Sequence, residues 1–522
     1  MIVPFSIRDF LDRAVTVYPD RVAVVDEPDQ PAPSWGELTY AEMMALARGQ
    51  AARLDELGVP VGGRVAMVSH NAARLLTSFF GVSGWGRVFV PVNFRLAPAE
   101  VEYIVEHCGA DVVILDPELE HLRDACSAAT HVLTLGSDDE RIWGWSPEAN
   151  GRPGETYTAE PRPWDPDENA TATINYTSGT TARPKGVQQT HRALWVNATV
   201  FGWQSSVSDR DVYLHTLPMF HCNGWGQVYG VTGMGGRHVV IRKIDGAEIL
   251  RRIEAEGVTL LCCAPAVVAA VLDALSDWEG EVPGRDRVRV IVAGAPPPTR
   301  TIQRVRADLG WEFIQIYGLT ETSPLLTMSR MRAEWDDLDD EEQARRLGQA
   351  GAPALSTTMR VDESGELLAR SNTVLEGYWD NPEATETALA GGWFHTGDGG
   401  SIRDGYVTIA DRKKDVIISG GENVTSIEVE DALMSHPGVA EVAVIGIPDE
   451  KWGELVTALV VPAPGADPSA EELIAHCRQH LAGYKCPKRV EFRDALQRTA
   501  TGKLQKFKLR QEFWGDAERQ VN

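Results

Sequence analysis

Three observations predict an α/β fold with parallel sheets. Short apolar runs alternate with amphipathic stretches through the first 400 residues or so, the pattern of βαβ units. The runs are rich in Val, Ile and Leu and only four to six residues long, as buried parallel strands are. The pattern then breaks and restarts near residue 413, which divides the chain into a region 1–412 and a smaller domain 413–522.

The elements follow in order. Ser6 and Asp9 form a capping-box spacing ahead of Ile7, Phe10, Leu11 and Ala14, so a helix is expected there. RVAVVD, RVAMVSH, DVVILD and HVLTLG read as strands. The stretch from Asp138 to Glu168 is crowded with Pro, Gly and acids and reads as a surface connection. RHVVIRK, TLLCCAP, VRVIVAGAP and FIQIYG resume the strand series. Arg332 to Glu342 is a charge run, expected as a solvated face or loop. Turn residues crowd between GELLARS and GYVTIAD, which suggests a smaller β-rich piece. Beyond DRKKD, VAEVAVIGIPD and ELVTALVVPAPG read as strands and SAEELIAHCRQHLAGY as a helix capped by Ser469.

Composition excludes several classes of function. With 522 residues and a net charge of −25, the chain lacks the cation excess that general nucleic-acid or anionic-lipid binding requires. The seven cysteines have no CxxC spacing, so neither a disulfide framework nor a zinc site is expected. The N-terminus acquires charge too early for a signal peptide. The longest apolar run, LLCCAPAVVAAVL, is 13 residues and includes Pro265, too short to span a bilayer. These features read as a cytoplasmic protein.

The chemistry concentrates in INYTSGTTARPKGVQQTH. A strand runs into Thr177, Ser178, Gly179, Thr180, Thr181 and Ala182, followed by Lys185. Small residues let backbone N–H groups approach a ligand, and hydroxyls with an ammonium suit phosphate oxygens. It is not a Walker A loop, because Pro184 and Gly186 flank the lysine.

YTSGTTARPKGV resembles the phosphate loop of the adenylate-forming superfamily, which includes acyl-CoA synthetases, luciferases and peptide-synthetase adenylation domains. VPVNFRLAPAE, LPMFHCNGWG, VAGAP, YGLTETSP, GYWDNPEAT, WFHTGD, DRKKDVIISGGENVTSIEVE and TATGKLQK continue the resemblance in family order. It is greatest to acyl-CoA synthetases of the fatty-acid, medium-chain or methylmercaptopropionate–CoA ligase branch. One departure is Ala182, where the family pattern has Gly.

The resemblance implies doubly wound α/β subdomains with a β-rich subdomain, then a mobile α+β C-terminal domain. It implies ATP, Mg²⁺ and coenzyme A as reactants with a carboxylic acid, and it is compatible with a homodimer. Glu321 and Thr180 would hold Mg²⁺. Tyr317 would face adenine, with Gly294, Ala295 and Pro296 on the other side, and Gly318 and Thr320 nearby. Asp398 would take the ribose hydroxyls and Arg412 would also reach the nucleotide. Lys503 would offset the repulsion between carboxylate and α-phosphate. His221 resembles the gate between acyl pocket and thiol channel. Trp225, four residues on, would share a helix face with it and line the acyl pocket with Gly294 and Pro324. Gly420 and Gly421 would line the pantetheine tunnel, and Lys414 would be the hinge.

The implied reaction joins a short- to medium-chain fatty or related apolar acid to CoA through an acyl-adenylate. Two alternatives stand beside it. One is an adenylation enzyme that loads a carrier protein, against which the absence of a carrier domain in the sequence argues. The other is a silent nucleotide sensor, against which Lys185, Glu321, Asp398, Arg412 and Lys503 together argue.

Overall fold

A computed structural model describes the chain except for residues 136–141, 146–151, 154–159, 178–182, 296, 413–414, 421, 450, 499–503 and 515–522. The side chains of residues 411 and 412 also lie outside the description.

Two large mixed sheets carry the fold. The seven-stranded sheet is ordered Gly377–Tyr378, Lys185–Thr190, Thr171–Thr177, Val88–Val92, Arg64–Val68, Val112–Leu115 and His131–Thr134. The nine-stranded sheet runs Ala352–Pro353, Leu325–Ser329, Glu312–Gly318, Arg289–Val292, Leu260–Cys263, Val212–His215, Arg237–Val240, Val22–Val25 and Glu37–Thr39. The central pairings of both are parallel, as the apolar runs predict. One buried cluster takes Val24 and Leu38 from one sheet, Val65, Met67 and Phe89 from the other, and Leu46, Phe79, Phe80 and Tyr229 from helices. Helices therefore fill the space between the sheets and bury both inner faces.

The β-rich piece is a four-stranded antiparallel sheet, Thr358–Val361, Glu366–Arg370, Phe394–Arg403 and Tyr406–Arg412. The C-terminal sheet pairs Glu422–Val424, Ile417–Ser419, Gly453–Pro462 and Val439–Asp449, with Arg489–Phe492 added parallel to Gly453–Pro462. Ser469 caps the helix Ala470–His480, its hydroxyl accepting from Glu472 N–H at 3.1 Å.

Three expectations need correction. The first helix spans Arg8–Val17, yet its capping box is half made. Asp9 accepts from Ser6 N–H at 3.1 Å, but Asp9 N–H bonds the Ser6 carbonyl rather than its hydroxyl. The 138–168 connection is not all surface: Ile142 and Trp143 are buried, with Trp143 edge-on to Trp35 at 5.3 Å. The 332–342 charge run is not all solvated either. Trp335 is buried within it, and Asp339 caps the helix Asp340–Leu347. In both segments one aromatic residue gains more by burial than its polar neighbours lose.

Candidate functional site

The phosphate-loop segment is the turn of a hairpin. Thr171–Thr177 and Lys185–Thr190 are antiparallel, and Thr177 lies opposite Lys185. Ser178, Gly179, Thr180, Thr181 and Ala182 lie outside the described residues. The Lys185 ammonium sits 4.9 Å from the centre of the Tyr378 ring, a cation–π distance. The Tyr378 hydroxyl donates to Glu321 Oε1 at 3.0 Å. Burial, then the Glu321 charge, pushes the Tyr378 phenol well above its ordinary range, so it stays a donor at neutral pH. An ammonium and a carboxylate thus meet across one aromatic ring.

Glu321 lies in a single 3₁₀ turn, Thr320–Thr322, just after the strand Glu312–Gly318. Its carbonyl accepts from Leu375 N–H at 2.7 Å, and the Thr320 carbonyl accepts from Gln189 Nε2 at 2.7 Å. The chain then doubles back, with Gly318 opposite Leu325. A Cβ at Gly318 would stand 1.6 Å from the Pro324 carbonyl oxygen. Only glycine allows that approach, which is why the Tyr-Gly spelling precedes the acidic turn. Pro324 itself is buried.

Tyr317 and Asp398 come together, although 81 residues separate them. The tyrosine hydroxyl donates to Asp398 Oδ2 at 2.8 Å. Asp398 is 6% exposed and stands opposite Arg412 in the antiparallel pair Phe394–Arg403 and Tyr406–Arg412. Gly294 is exposed and Ala295 half-buried, two and three residues beyond the strand Arg289–Val292. Gly294, Tyr317, Gly318, Thr320 and Glu321 therefore gather where two adjacent parallel strands end. Ligands bind at that end of open α/β sheets. Glu321 supplies hard oxygen donors, and one carboxylate completed by phosphate and water fits Mg²⁺.

His221 and Trp225 do not share an α-helical face. Cys222, Asn223, Gly224 and Trp225 have φ of +47°, +52°, +55° and +58°, a single left-handed turn. Each non-glycine residue there costs about 1–2 kcal/mol. Asn223 supplies the compensation. Its Nδ2 donates to Thr173 Oγ1 at 2.9 Å and Gln189 Oε1 at 2.7 Å. Asn175 Nδ2 in turn donates to Asn223 Oδ1 at 3.1 Å and to the Phe220 carbonyl at 3.2 Å. This buried amide network ties the His221 turn to both strands of the phosphate hairpin. Trp225 packs with Leu217, Ile314, Ile316 and Leu325 and is 4% exposed.

Sequence reasoning missed Thr173, Asn175, Gln189 and Asn223. The available signal was polar alternation: TATINYT places Thr171, Thr173, Asn175 and Thr177 on one face of a strand. Buried polar residues on a core strand require partners.

In the C-terminal domain, the space that a Cβ at Gly420 would take is filled by the Trp452 indole, 2.9 Å away. Pro296, Lys414, Gly421 and Lys503 lie outside the described residues. Among the described residues, no group of three or more His, Cys, Asp or Glu could hold a metal ion. All seven cysteines are free and buried.

Comparison with known proteins agrees with this geometry. The AMP-binding enzyme family matches residues 11–379, and the AMP-binding enzyme C-terminal domain matches residues 428–503. A 4-hydroxybutyrate–CoA ligase of Metallosphaera sedula is 37% identical over 98% of this chain and 95% of its own. A 2-methylpropanoate–CoA ligase of Humulus lupulus is 35% identical over 97% and 95%. Among solved structures, a Mycobacterium tuberculosis fatty acyl CoA synthetase is similar at TM-score 0.72 and 33% identity, covering 97% of this chain and 98% of that one. An anthranilate CoA ligase in complex with anthranoyl-AMP is similar at TM-score 0.85 and 26% identity, covering 98% of each. With matches that span nearly the whole chain and a strand-end site of the expected make-up, the chain belongs to the AMP-binding enzyme family, in its acyl-CoA synthetase branch.

Proposed function

We propose that this chain is an AMP-forming acid:CoA ligase acting on a short- to medium-chain apolar carboxylic acid. The carrying observation is the pair of contacts at the strand ends, Lys185–Tyr378–Glu321 beside Tyr317–Asp398. ATP, Mg²⁺ and CoA are the co-reactants of the family. In the first half-reaction a carboxylate oxygen attacks the α-phosphorus of ATP. The bond to the β-phosphate oxygen breaks, and pyrophosphate leaves. In the second, the CoA thiolate attacks the acyl carbonyl, AMP leaves, and the thiol proton goes to solvent.

Each residue has a distinct task in this reading. Asp398 takes the ribose hydroxyls as acceptor, oriented by Tyr317. The Tyr317 ring faces adenine, with Gly294, Ala295 and Pro296 opposite and Gly318 and Thr320 shaping the floor. Thr177, Ser178, Gly179, Thr180, Thr181 and Lys185 cradle the β- and γ-phosphates. Mg²⁺ would be held by Glu321 and Thr180 and would neutralise phosphate charge. Arg412 reaches the nucleotide, and Lys503 stands between the two anions that must meet. His221 gates the way from acyl pocket to thiol channel, and Trp225 with Pro324 bounds the pocket. Residues 413–522 move as a domain about Lys414 to bring Gly420 and Gly421 to the thiol.

The aliphatic surroundings of Trp225 favour an apolar acid. The free, buried cysteines suit a reducing, cytoplasmic setting, and no helix among the described residues is long and apolar enough to cross a membrane. The reaction needs one chain, so a homodimer would add to it rather than complete it.

Acid-dependent exchange of pyrophosphate into ATP, run from acetate to decanoate with cinnamate and 4-hydroxybutyrate included, tests the reading. Exchange with a short or medium apolar acid, followed by CoA-dependent AMP release, is expected. Lys503→Ala should lose exchange while still passing supplied acyl-adenylate to CoA. No exchange with any acid would overturn the assignment, and transfer to a carrier protein but not to CoA would redirect it.

A further inference from the structure

The two strands that present the reaction site have a second end, and it opens into a cleft of about 730 Å³. Arg285, Arg287, Arg289 and Arg306 line it, with the acids Asp286, Glu312 and Asp340. Arg289 and Glu312 are the first residues of the strands Arg289–Val292 and Glu312–Gly318. Arg289 and Gly294 are five positions apart, the strand Arg289–Val292 running between the two ends, a reach of up to about 17 Å at 3.3 Å per residue. The cleft is therefore separate from the nucleotide end.

Its charges are not balanced internally. Arg289 is paired with Asp211, outside the cleft, and Glu312 is paired with Arg330, also outside it. The remaining three arginines make no ion pair among the described residues, in a chain where arginine is otherwise widely paired. Two of them are nevertheless held in place by neutral acceptors. Arg285 Nη2 donates to the Asp308 carbonyl at 2.6 Å, while the Asp308 carboxylate is bound to Arg304. Arg285 lies flat across Gly310, where a Cβ would come within 2.8 Å of its Cγ and Nη1. Arg306 Nη2 donates to Gln343 Oε1 at 2.6 Å. That amide is fixed in turn by its own bonds to the Trp335 and Leu338 carbonyls at 2.8 and 2.9 Å. Arg287 is exposed and has no partner among the described residues. Asp286 and Asp340 lie beyond ion-pair distance of all three.

Oriented guanidiniums with donors to spare are phosphate receptors, because the planar fork matches two phosphate oxygens. A cleft of this volume suits a small molecule. On a chain of net charge −25 the cleft, with four arginines and three acids in its lining, carries a local excess of positive charge. We propose that this cleft binds a small phosphorylated anion, gripped by Arg285, Arg287 and Arg306, at the opposite end of the strands from the ligase site.

Calorimetric titration of the full chain, with the reaction site first filled by a phosphate-free acyl-sulfamoyl adenosine, tests this. Ribose 5-phosphate and inorganic phosphate are the probes, used separately at low salt. One further site is expected. Stronger binding of ribose 5-phosphate would identify a phosphate ester as the ligand, and equal binding would identify the phosphate group alone. Arg287→Gln and the double variant Arg285→Gln/Arg306→Gln should each weaken binding at least about tenfold, or ~1.4 kcal/mol, with pyrophosphate exchange unchanged. Lys185→Gln, at the ligase site, should leave the second site intact. Arg287 is exposed, so its substitution tests binding even where the double variant folds poorly. Absence of any second site, unchanged affinity in the arginine variants, or loss of the site in Lys185→Gln would each overturn the proposal.

Discussion

The rim of the candidate site and the layer beneath it handle polarity in opposite ways. At the rim, the ammonium of Lys185 and the carboxyl groups of Glu321 and Asp398 meet tyrosine rings and hydroxyls. Beneath it, the polar groups are neutral and passed from hand to hand. The amide network Thr173–Asn175–Gln189–Asn223 cannot titrate. A second chain consists of imidazoles. Thr232 donates its hydroxyl to the Val228 carbonyl at 2.7 Å, so its oxygen accepts from His238 Nε2–H at 3.0 Å. His238 Nδ1 must then accept from His215 Nε2–H, at 2.9 Å. His215 Nδ1 is left as a buried lone pair without a partner among the described residues. The lesson is one of dielectric. In this layer the buried groups are ones that meet each other without charge, whereas buried charge elsewhere in the chain is met by a partner ion, as in Arg242–Asp116 at 2.9 Å.

The sharpest test removes a charge from the rim and leaves its shape. Glu321→Gln can still accept from Tyr378, so stability should barely change. Adenylation should fall by a factor of about 10²–10³, or ~3–4 kcal/mol, as for removal of one preorganised electrostatic group. Exchange kinetics beside a thermal melt decide it. A large melting shift would make Glu321 scaffolding instead.

The converse test strikes the buried layer. Asn223→Ala takes one hydrogen bond each from the buried Asn175, Gln189 and Thr173, which keep other partners, and places alanine at φ +52°. A loss of about 2–3 kcal/mol is expected from the lost bonds and the left-handed backbone together, read from urea unfolding. Unchanged stability would show that the network does not hold the turn.

Titration separates the two buried chains. Burial lowers the His238 imidazole to about 3 and that of His191 to about 4, and it holds His215 well below the ordinary histidine range. An unfolded histidine binds its proton near pH 6.5. Below that, the unfolded state holds more protons than the folded one, so stability falls with pH until the folded values are reached. It is fully present above about pH 6.5. The slope is up to about 1.4 kcal/mol per pH unit for each histidine. Unfolding free energies at pH 7.5, 6.5 and 5.5 should decline in that order, and His238→Gln should flatten the decline. A flat profile in the parent would refute the assignment of neutral, buried imidazoles.

The smallest effect concerns the apolar wall between rim and core. Trp225→Ala should move preference toward longer acids, at about 0.8 kcal/mol per added methylene, or several-fold per carbon. An unchanged chain-length profile would place Trp225 in the scaffold alone.

Sequence by itself determined a good deal. The apolar runs from RVAVVD to FIQIYG marked strands, because buried parallel strands must be apolar on both faces. Ser469 marked a helix start because its hydroxyl has only local donors to satisfy. Lys185, Tyr317, Glu321 and Asp398 were legible through the motifs that resemble the adenylate-forming superfamily. Tertiary structure alone decided what those residues meet. No periodicity relates Tyr317 to Asp398 or Tyr378 to Glu321, since their contacts cross between sheets. HCNGWG reads as helical by spacing. Its left-handed turn exists because Asn223 finds partners on two strands some 35 to 50 residues earlier in the chain. The ion-pair ledger that leaves Arg285, Arg287 and Arg306 unmatched is likewise invisible in a charge count. Local propensity and hydrophobic burial act along the chain and can be read there. Hydrogen bonds and charges depend on the distance between groups, and folding alone sets that.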